Sequence, residues 1–81
     1  MDSVIDVVVP SLGQDIESVL LVAWRAAPGA RVCAGEPLFE VETDKAVFEV
    51  EAELDGVLAE VLFPAGEWVP PGTVVARIRA P

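Results

Sequence analysis

One pattern occurs twice in this chain, and it limits the possible folds more than any other feature. Residues 29–41 read Gly-Ala-Arg-Val-Cys-Ala-Gly-Glu-Pro-Leu-Phe-Glu-Val, and residues 66–78 read Gly-Glu-Trp-Val-Pro-Pro-Gly-Thr-Val-Val-Ala-Arg-Ile. Both follow G-x-x-V-x-x-G-x-x-Φ-x-x-Φ, with Φ aliphatic and no gap. A similar apolar strand precedes each copy, at Val19–Trp24 and Val57–Leu62. One copy is too short to bury both of its faces. Two copies facing each other make a sandwich with an internal quasi-two-fold.

The local signals agree with that arrangement. Apolar residues come in short Val-rich runs broken by Gly and Pro, with no sustained helical spacing. The pattern predicts strands over 4–9, 19–25, 37–43, 46–52, 56–63 and 73–79, with short extended pieces at 31–32 and 68–69. Turns fall at Pro10, Gly13, Pro28–Gly29, Gly35, Pro64, Gly66 and Pro70–Gly72. The expected fold is all-β: a flattened barrel or sandwich of two roughly four-stranded antiparallel sheets. With 81 residues, the chain reads as one domain, residues 1–81, with a structured core over about 4–79.

Composition excludes several functions. Fourteen acids against five Lys and Arg give a net charge of -9, which repels phosphate backbones and anionic membrane faces. Neither nucleic acid nor a membrane is an expected partner. The absence of His, with Cys33 as the only cysteine, excludes an internal disulfide, the usual zinc sites, and Ser-His-Asp or Cys-His centres. No metal site and no catalytic residue are expected. The N-terminal stretch has Asp2 and Asp6 where a secretion signal needs positive charge. The longest uncharged stretch, Trp68 to Ala76, is too short for a membrane helix.

The midpoint of the symmetry reads as a hairpin. Pairing Phe39 with Val50 and Val41 with Phe48 puts all four on one face, anchoring the hairpin to the core. The same register pairs Thr43 with Ala46 and leaves Asp44 and Lys45 as a two-residue loop. Primed turns favour Gly or Asn there, so the sequence predicts a type I turn with local strain. Lys45 is the only lysine in the chain. A lysine amine can be acylated, whereas arginine stays protonated. Glu40, Glu42, Asp44, Glu49, Glu51 and Glu53 surround it in sequence and favour the ammonium, which argues against a Schiff-base nucleophile. Cys33 reads as a small packed hydrophobe, and Trp24 and Trp68 as core or rim aromatics.

Residues 39–52, centred on Glu42-Thr-Asp-Lys-Ala46, resemble the lipoylation motif of the dihydrolipoamide acyltransferase components of 2-oxo acid dehydrogenase complexes. Residues 9–13, Val-Pro-Ser-Leu-Gly, match the family's opening P-x-L-G. Trp24 and both Gly repeats match as well, so the resemblance runs from Val4 to Ile78. Two positions depart from it: Ser18 where the family usually has Gly, and Ala30 where it often has Asp. The resemblance implies a swinging-arm carrier that is not catalytic by itself, with lipoic acid joined by an amide to Lys45. Glu42, Thr43, Asp44 and Ala46 would be recognition residues for a lipoate ligase or lipoyl transferase. Further implied partners are a thiamine-diphosphate-dependent 2-oxo acid decarboxylase, the acyltransferase catalytic domain and dihydrolipoamide dehydrogenase. The implied compartment is the bacterial cytoplasm or the mitochondrial matrix. The loop Ser11–Ile16 is expected near the lysine turn, where it would help the decarboxylase select its partner. The alternative is a biotinyl carrier, but that family usually has Met on both sides of the lysine, where this chain has Asp44 and Ala46. An unmodified structural adaptor is less consistent with the attachment motif.

Overall fold

The computed structural model describes residues 3–13 and 15–81. Eight strands follow in chain order: β1 Ser3–Val8, β2 Val19–Trp24, β3 Arg31–Val32, β4 Pro37–Glu42, β5 Val47–Glu51, β6 Gly56–Val61, β7 Trp68–Val69 and β8 Val74–Ala80. Every predicted strand forms, with ends shifted by a residue or two, and none of the described residues is helical. They make two four-stranded antiparallel sheets. Sheet A has the order β1-β8-β6-β3, and sheet B the order β5-β4-β2-β7.

The repeat in the sequence is the symmetry of the fold. Exchanging β1 with β5, β2 with β6, β3 with β7 and β4 with β8 converts one sheet order into the other. Hydrogen bonds repeat under the same exchange. Gly29 N–H donates to Leu58 O at 2.7 Å, and its mate Gly66 N–H donates to Leu21 O at 2.7 Å. Gly35 N–H donates to Ala52 O, and Gly72 N–H to Val9 O, both at 2.8 Å. The register shifts between Leu21 and Ala23, and again between the equivalent Leu58 and Glu60. The four repeat glycines have φ of 93°, 90°, 99° and 90°, left-handed values that a side chain rarely tolerates. The G-x-x-V-x-x-G spacing therefore reflects two turns, each built once in each half.

Between the sheets lies a core of aliphatic side chains around Phe39, including Val19, Leu21, Leu38, Val41, Leu58, Val69, Val75 and Ile78. Trp24 seals one side of it. Its ring lies 5.1 Å from Phe39, and its Nε1–H donates to Phe63 O at 2.9 Å, tying the end of β2 to the loop after β6. Trp24→Phe removes that hydrogen bond and leaves a part-buried carbonyl short of a partner. The expected cost is about 1 kcal/mol, seen as a melting temperature lower by about 4–8 °C in thermal unfolding followed by circular dichroism.

Charges on the outer faces are arranged in rows. Arg77 stands between Asp6 and Glu60, on neighbouring strands, at 3.1 and 2.7 Å. On sheet B, Glu40 lies opposite Glu49, a like-charge pair. Arg25 relieves it by reaching Glu40 at 2.7 Å and Glu49 at 3.8 Å. Each pair is exposed and contributes little alone, but the rows oppose register slips.

The two-fold also relates the Ser3–Ala80 pair to the central hairpin. The Thr43–Ala46 closure of β4 and β5 is the symmetry mate of the Ser3–Ala80 pair that joins β1 to β8. From Ser3, β1 runs toward the loop that touches the hairpin tip, so the Ser3–Ala80 pair lies at the end of β1 away from that loop.

Candidate functional site

The β4–β5 hairpin has the register that the sequence predicts: Phe39 opposite Val50 and Val41 opposite Phe48. Thr43 N–H donates to Ala46 O at 2.9 Å and closes the loop, so Asp44 and Lys45 form its apex. Neither has a positive φ, which excludes the primed turns, and the expected strain does not arise there. Thr43 holds the loop instead. Its Oγ1 accepts from Lys45 N–H at 3.2 Å and from Ala46 N–H at 3.3 Å. A short hydroxyl side chain suits this task, because it folds back onto the backbone two and three residues ahead.

Lys45 is exposed and, among the described residues, makes no ion pair. Asp44, Ala46 and Glu42 are also exposed, while Thr43 is half-buried. The five residues form one continuous surface at the end of the hairpin. A side-chain amine so placed can enter another enzyme's active site without breaking any contact of its own domain. Phe39 and Val41 below it are fully buried and fix the base of the hairpin. Val50 packs half-buried against the same core.

Two further sequence expectations need correction. Phe48 does not anchor the hairpin; it is 38% exposed. It lies on the edge strand β5, close to the tip, where no strand of the other sheet covers it. Instead it lines a shallow cavity of about 200 Å³ with Leu12, Gly13, Asp15, Ile16, Thr43, Asp44 and Lys45. Cys33 is exposed and not packed. Its N–H donates to Glu36 Oε1 at 2.7 Å, and the Glu36 carboxylate, by hydrogen bonding and charge, pushes the thiol up from its ordinary value. The signal was present in the repeat. The symmetry mate of Cys33 is Pro70, a turn residue, and the mate of a turn residue is exposed.

The cavity shows that the β1–β2 loop lies against the lysine turn, as expected for Ser11–Ile16; Gln14 of that loop lies outside the described residues. Residues 9–18 connect β1 to β2, while the equivalent connection from β5 to β6 takes only 52–55. The two-fold is broken here, beside the only lysine. Among the described residues no group of His, Cys, Asp and Glu is placed to hold a metal ion. No helix among them is long and apolar enough to cross a membrane.

The chain resembles known proteins over nearly its whole length. A family described as biotin-requiring enzymes matches residues 5–78. The fold superposes, with a TM-score of 0.77 and 35% identity, on the lipoyl domain of the 2-oxoglutarate dehydrogenase complex from Azotobacter vinelandii, covering 91% of this chain and 94% of that one. The dihydrolipoyllysine-residue succinyltransferase component of the Escherichia coli 2-oxoglutarate dehydrogenase complex is 38% identical over 77 residues, 95% of this chain and 19% of that protein. The dihydrolipoyllysine-residue acetyltransferase component of the Corynebacterium glutamicum pyruvate dehydrogenase complex is 37% identical over 73 residues, 90% of this chain and 11% of that protein. This chain thus spans a fifth or less of the length of these curated relatives.

Proposed function

We infer the function from one premise: the chain belongs to the biotinyl- and lipoyl-attachment family, and within it to the lipoyl domains of 2-oxo acid dehydrogenase acyltransferases. Lipoyl domains of this family carry lipoic acid covalently on a lysine. In this chain the attachment site is Lys45, and the unit is the single domain of residues 1–81. The observation that carries the reading is the position of the only lysine at the apex of a tight, Thr43-closed hairpin, exposed and unpaired among the described residues. The site fits the group. An amide at Nζ needs an accessible amine, and forming one here breaks no ion pair of the fold.

When attached, the dithiolane supplies the redox and acyl-carrying chemistry. The protein supplies presentation. Buried Phe39 and Val41 fix the height of the tip, and Thr43 fixes the direction of the Lys45 backbone. Glu42, Asp44 and Ala46 give the modifying ligase or transferase its recognition surface. The domain catalyses nothing itself and serves the active sites of a 2-oxo acid dehydrogenase complex in turn: a thiamine-diphosphate-dependent decarboxylase, the acyltransferase catalytic domain and dihydrolipoamide dehydrogenase. Tethering replaces diffusion of a free intermediate with a high effective concentration. The compartment follows the complex, bacterial cytoplasm or mitochondrial matrix.

Co-producing the chain with a lipoate ligase and lipoate, and separately with a biotin ligase and biotin, tests the reading by intact mass. A lipoyl-sized increase with the first and none with the second is expected. An increase only with biotin makes the chain a biotinyl carrier. No increase with either leaves it an unmodified adaptor and sinks the carrier reading.

A further inference from the structure

The two-fold lets the lysine end be compared with its own mate. Phe48 corresponds to Ile5, and Val50 to Val7. Phe48 is 38% exposed and Ile5 40%, so an exposed apolar residue on the edge strand is common to both halves. What differs is the space beside it. Residues 9–18 bring Leu12 and Ile16 to the tip, both packed against the core. The cavity of about 200 Å³ that they form with Phe48 has Lys45 in its wall. Leu12 and Phe48 also line a groove of about 510 Å³ that continues along β5 past Val50 to Ala52. The two spaces share these side chains and make one trough leading away from the lysine. Beside Ile5 the space is about 90 Å³, and neither Ser3 nor Ala80 is in its wall.

We propose that this trough is a resting site in which the lipoyl arm on Lys45 lies back along β5 of its own domain; this rests on the carrier reading above. The occupant follows from the tether. Lys45 is itself in the wall, so a group joined to it meets the site at high effective concentration, without a search. The length suits it. From Phe48 to Glu51 the strand runs about 10 Å, the scale of an acyl chain with a terminal ring. The polarity suits it too. Leu12, Ile16, Phe48 and Val50 give an apolar surface, and Asp15, Asp44, Glu49 and Glu51 stand around it. An amide-linked acyl chain ending in a cyclic disulfide is apolar and uncharged, so these acids do not repel it. Free lipoate, which keeps its carboxylate, is repelled. Phe48 also offers the ring sulfurs an aromatic edge. Each methylene covered raises the resting population about fourfold, and the lost freedom of the chain opposes it. An enzyme that takes the dithiolane must therefore lift it from β5.

The test uses the isotope-labelled full chain carrying unlabelled lipoate, with no partner enzyme present. Filtered nuclear Overhauser spectra are expected to show contacts from the arm to the Phe48 ring and to the Leu12 and Ile16 methyls, unchanged on dilution. A second readout is the rate at which an uncharged phosphine reduces the ring disulfide, chosen so that the chain's acids do not bias it. Phe48→Ala is expected to be reduced about fourfold faster than the wild type or more, because the arm spends less time covered. Ile5→Ala, at the mate position, is expected to keep the wild-type rate, and circular dichroism checks that both variants fold. Absence of the arm contacts in the wild type overturns the proposal and leaves the carrier reading standing. So do equal reduction rates in the wild type and Phe48→Ala; should that variant fail to fold, Leu12→Ala takes its place. Contacts that vanish on dilution place the arm on a second copy and overturn the proposal as well. A wild-type chain that takes no lipoate removes the carrier reading and the proposal together.

Discussion

Lys45→Arg is expected to abolish lipoate attachment completely, while the folded domain keeps its wild-type melting temperature. The first half follows from chemistry. The variant has no side-chain amine left, and a guanidinium that stays protonated does not form the amide. The second half follows from the site. Lys45 is exposed, has a negative φ and makes no ion pair among the described residues, so the substitution disturbs neither packing nor backbone. The contrast with ordinary destabilised variants is the diagnostic point, because lost modification with an intact fold locates function in one atom. Exchanging Asp44 and Lys45 sharpens it. The amine then remains on the same loop but leaves from the neighbouring position, whose N–H is not the one held by Thr43 Oγ1. If presentation matters, the exchanged chain is modified at least tenfold more slowly than wild type in a timed lipoylation assay. Equal rates would show that any exposed amine on this loop suffices.

Gly56→Ala carries the largest expected effect on stability. Gly56 starts β6, and a Cβ there would stand 2.5 Å from Arg79 O and 2.8 Å from Ile78 Cγ2. A flexible side chain could swing away from such a contact, but a strand carbonyl in the middle of sheet A cannot. Sheet A must therefore open between β6 and β8, or the substitution must force Ile78 out of its buried rotamer. Overpacking of this kind costs about 3 kcal/mol. For a domain of this size that corresponds to a melting temperature lower by about 12–24 °C, a large part of a typical total stability of about 5–15 kcal/mol. Chemical denaturation should show the same loss. A drop of only a few degrees would mean that β8 yields more easily than its pairing on both sides implies. The reason is close approach and not a turn, because Gly56, unlike the repeat glycines, has no positive φ.

The sequence made much of this architecture readable, for a physical reason. Strands buried on one face must alternate, and turns with left-handed φ need Gly, so a duplicated Gly spacing exposes both the strands and their symmetry. The hairpin register was readable because a shift by one residue would bury Glu40 and Glu42 in place of Phe39 and Val41. The lysine at its apex then followed from a loop only two residues long.

What escaped the sequence depends on coverage and not on alternation. Phe48 has the parity of a core residue, yet it sits on an edge strand near the tip, where nothing opposite covers it. Cys33 has the chemistry of a buried residue but the position of a turn residue. Nothing local marks Gly56 as essential, because its neighbour Arg79 belongs to a strand far along the chain. The closeness of the Ser11–Ile16 loop to the lysine was expected from family resemblance alone; the cavity shared by Leu12, Ile16 and Lys45 now gives it a geometry.

Attachment of the lipoyl group to this domain at Lys45 can be read directly from its peptides. Trypsin cleaves after Lys45 only while its amine is free, so a tryptic map of the lipoylated chain tests the claim most directly. The unmodified chain yields peptides 32–45 and 46–77, bounded by Arg31, Lys45 and Arg77. Lipoylation is expected to replace them with one peptide, 32–77, carrying the full added mass, with fragment ions that place it on Lys45. An added mass found on any other peptide, or cleavage after Lys45 in the mass-shifted chain, would contradict it.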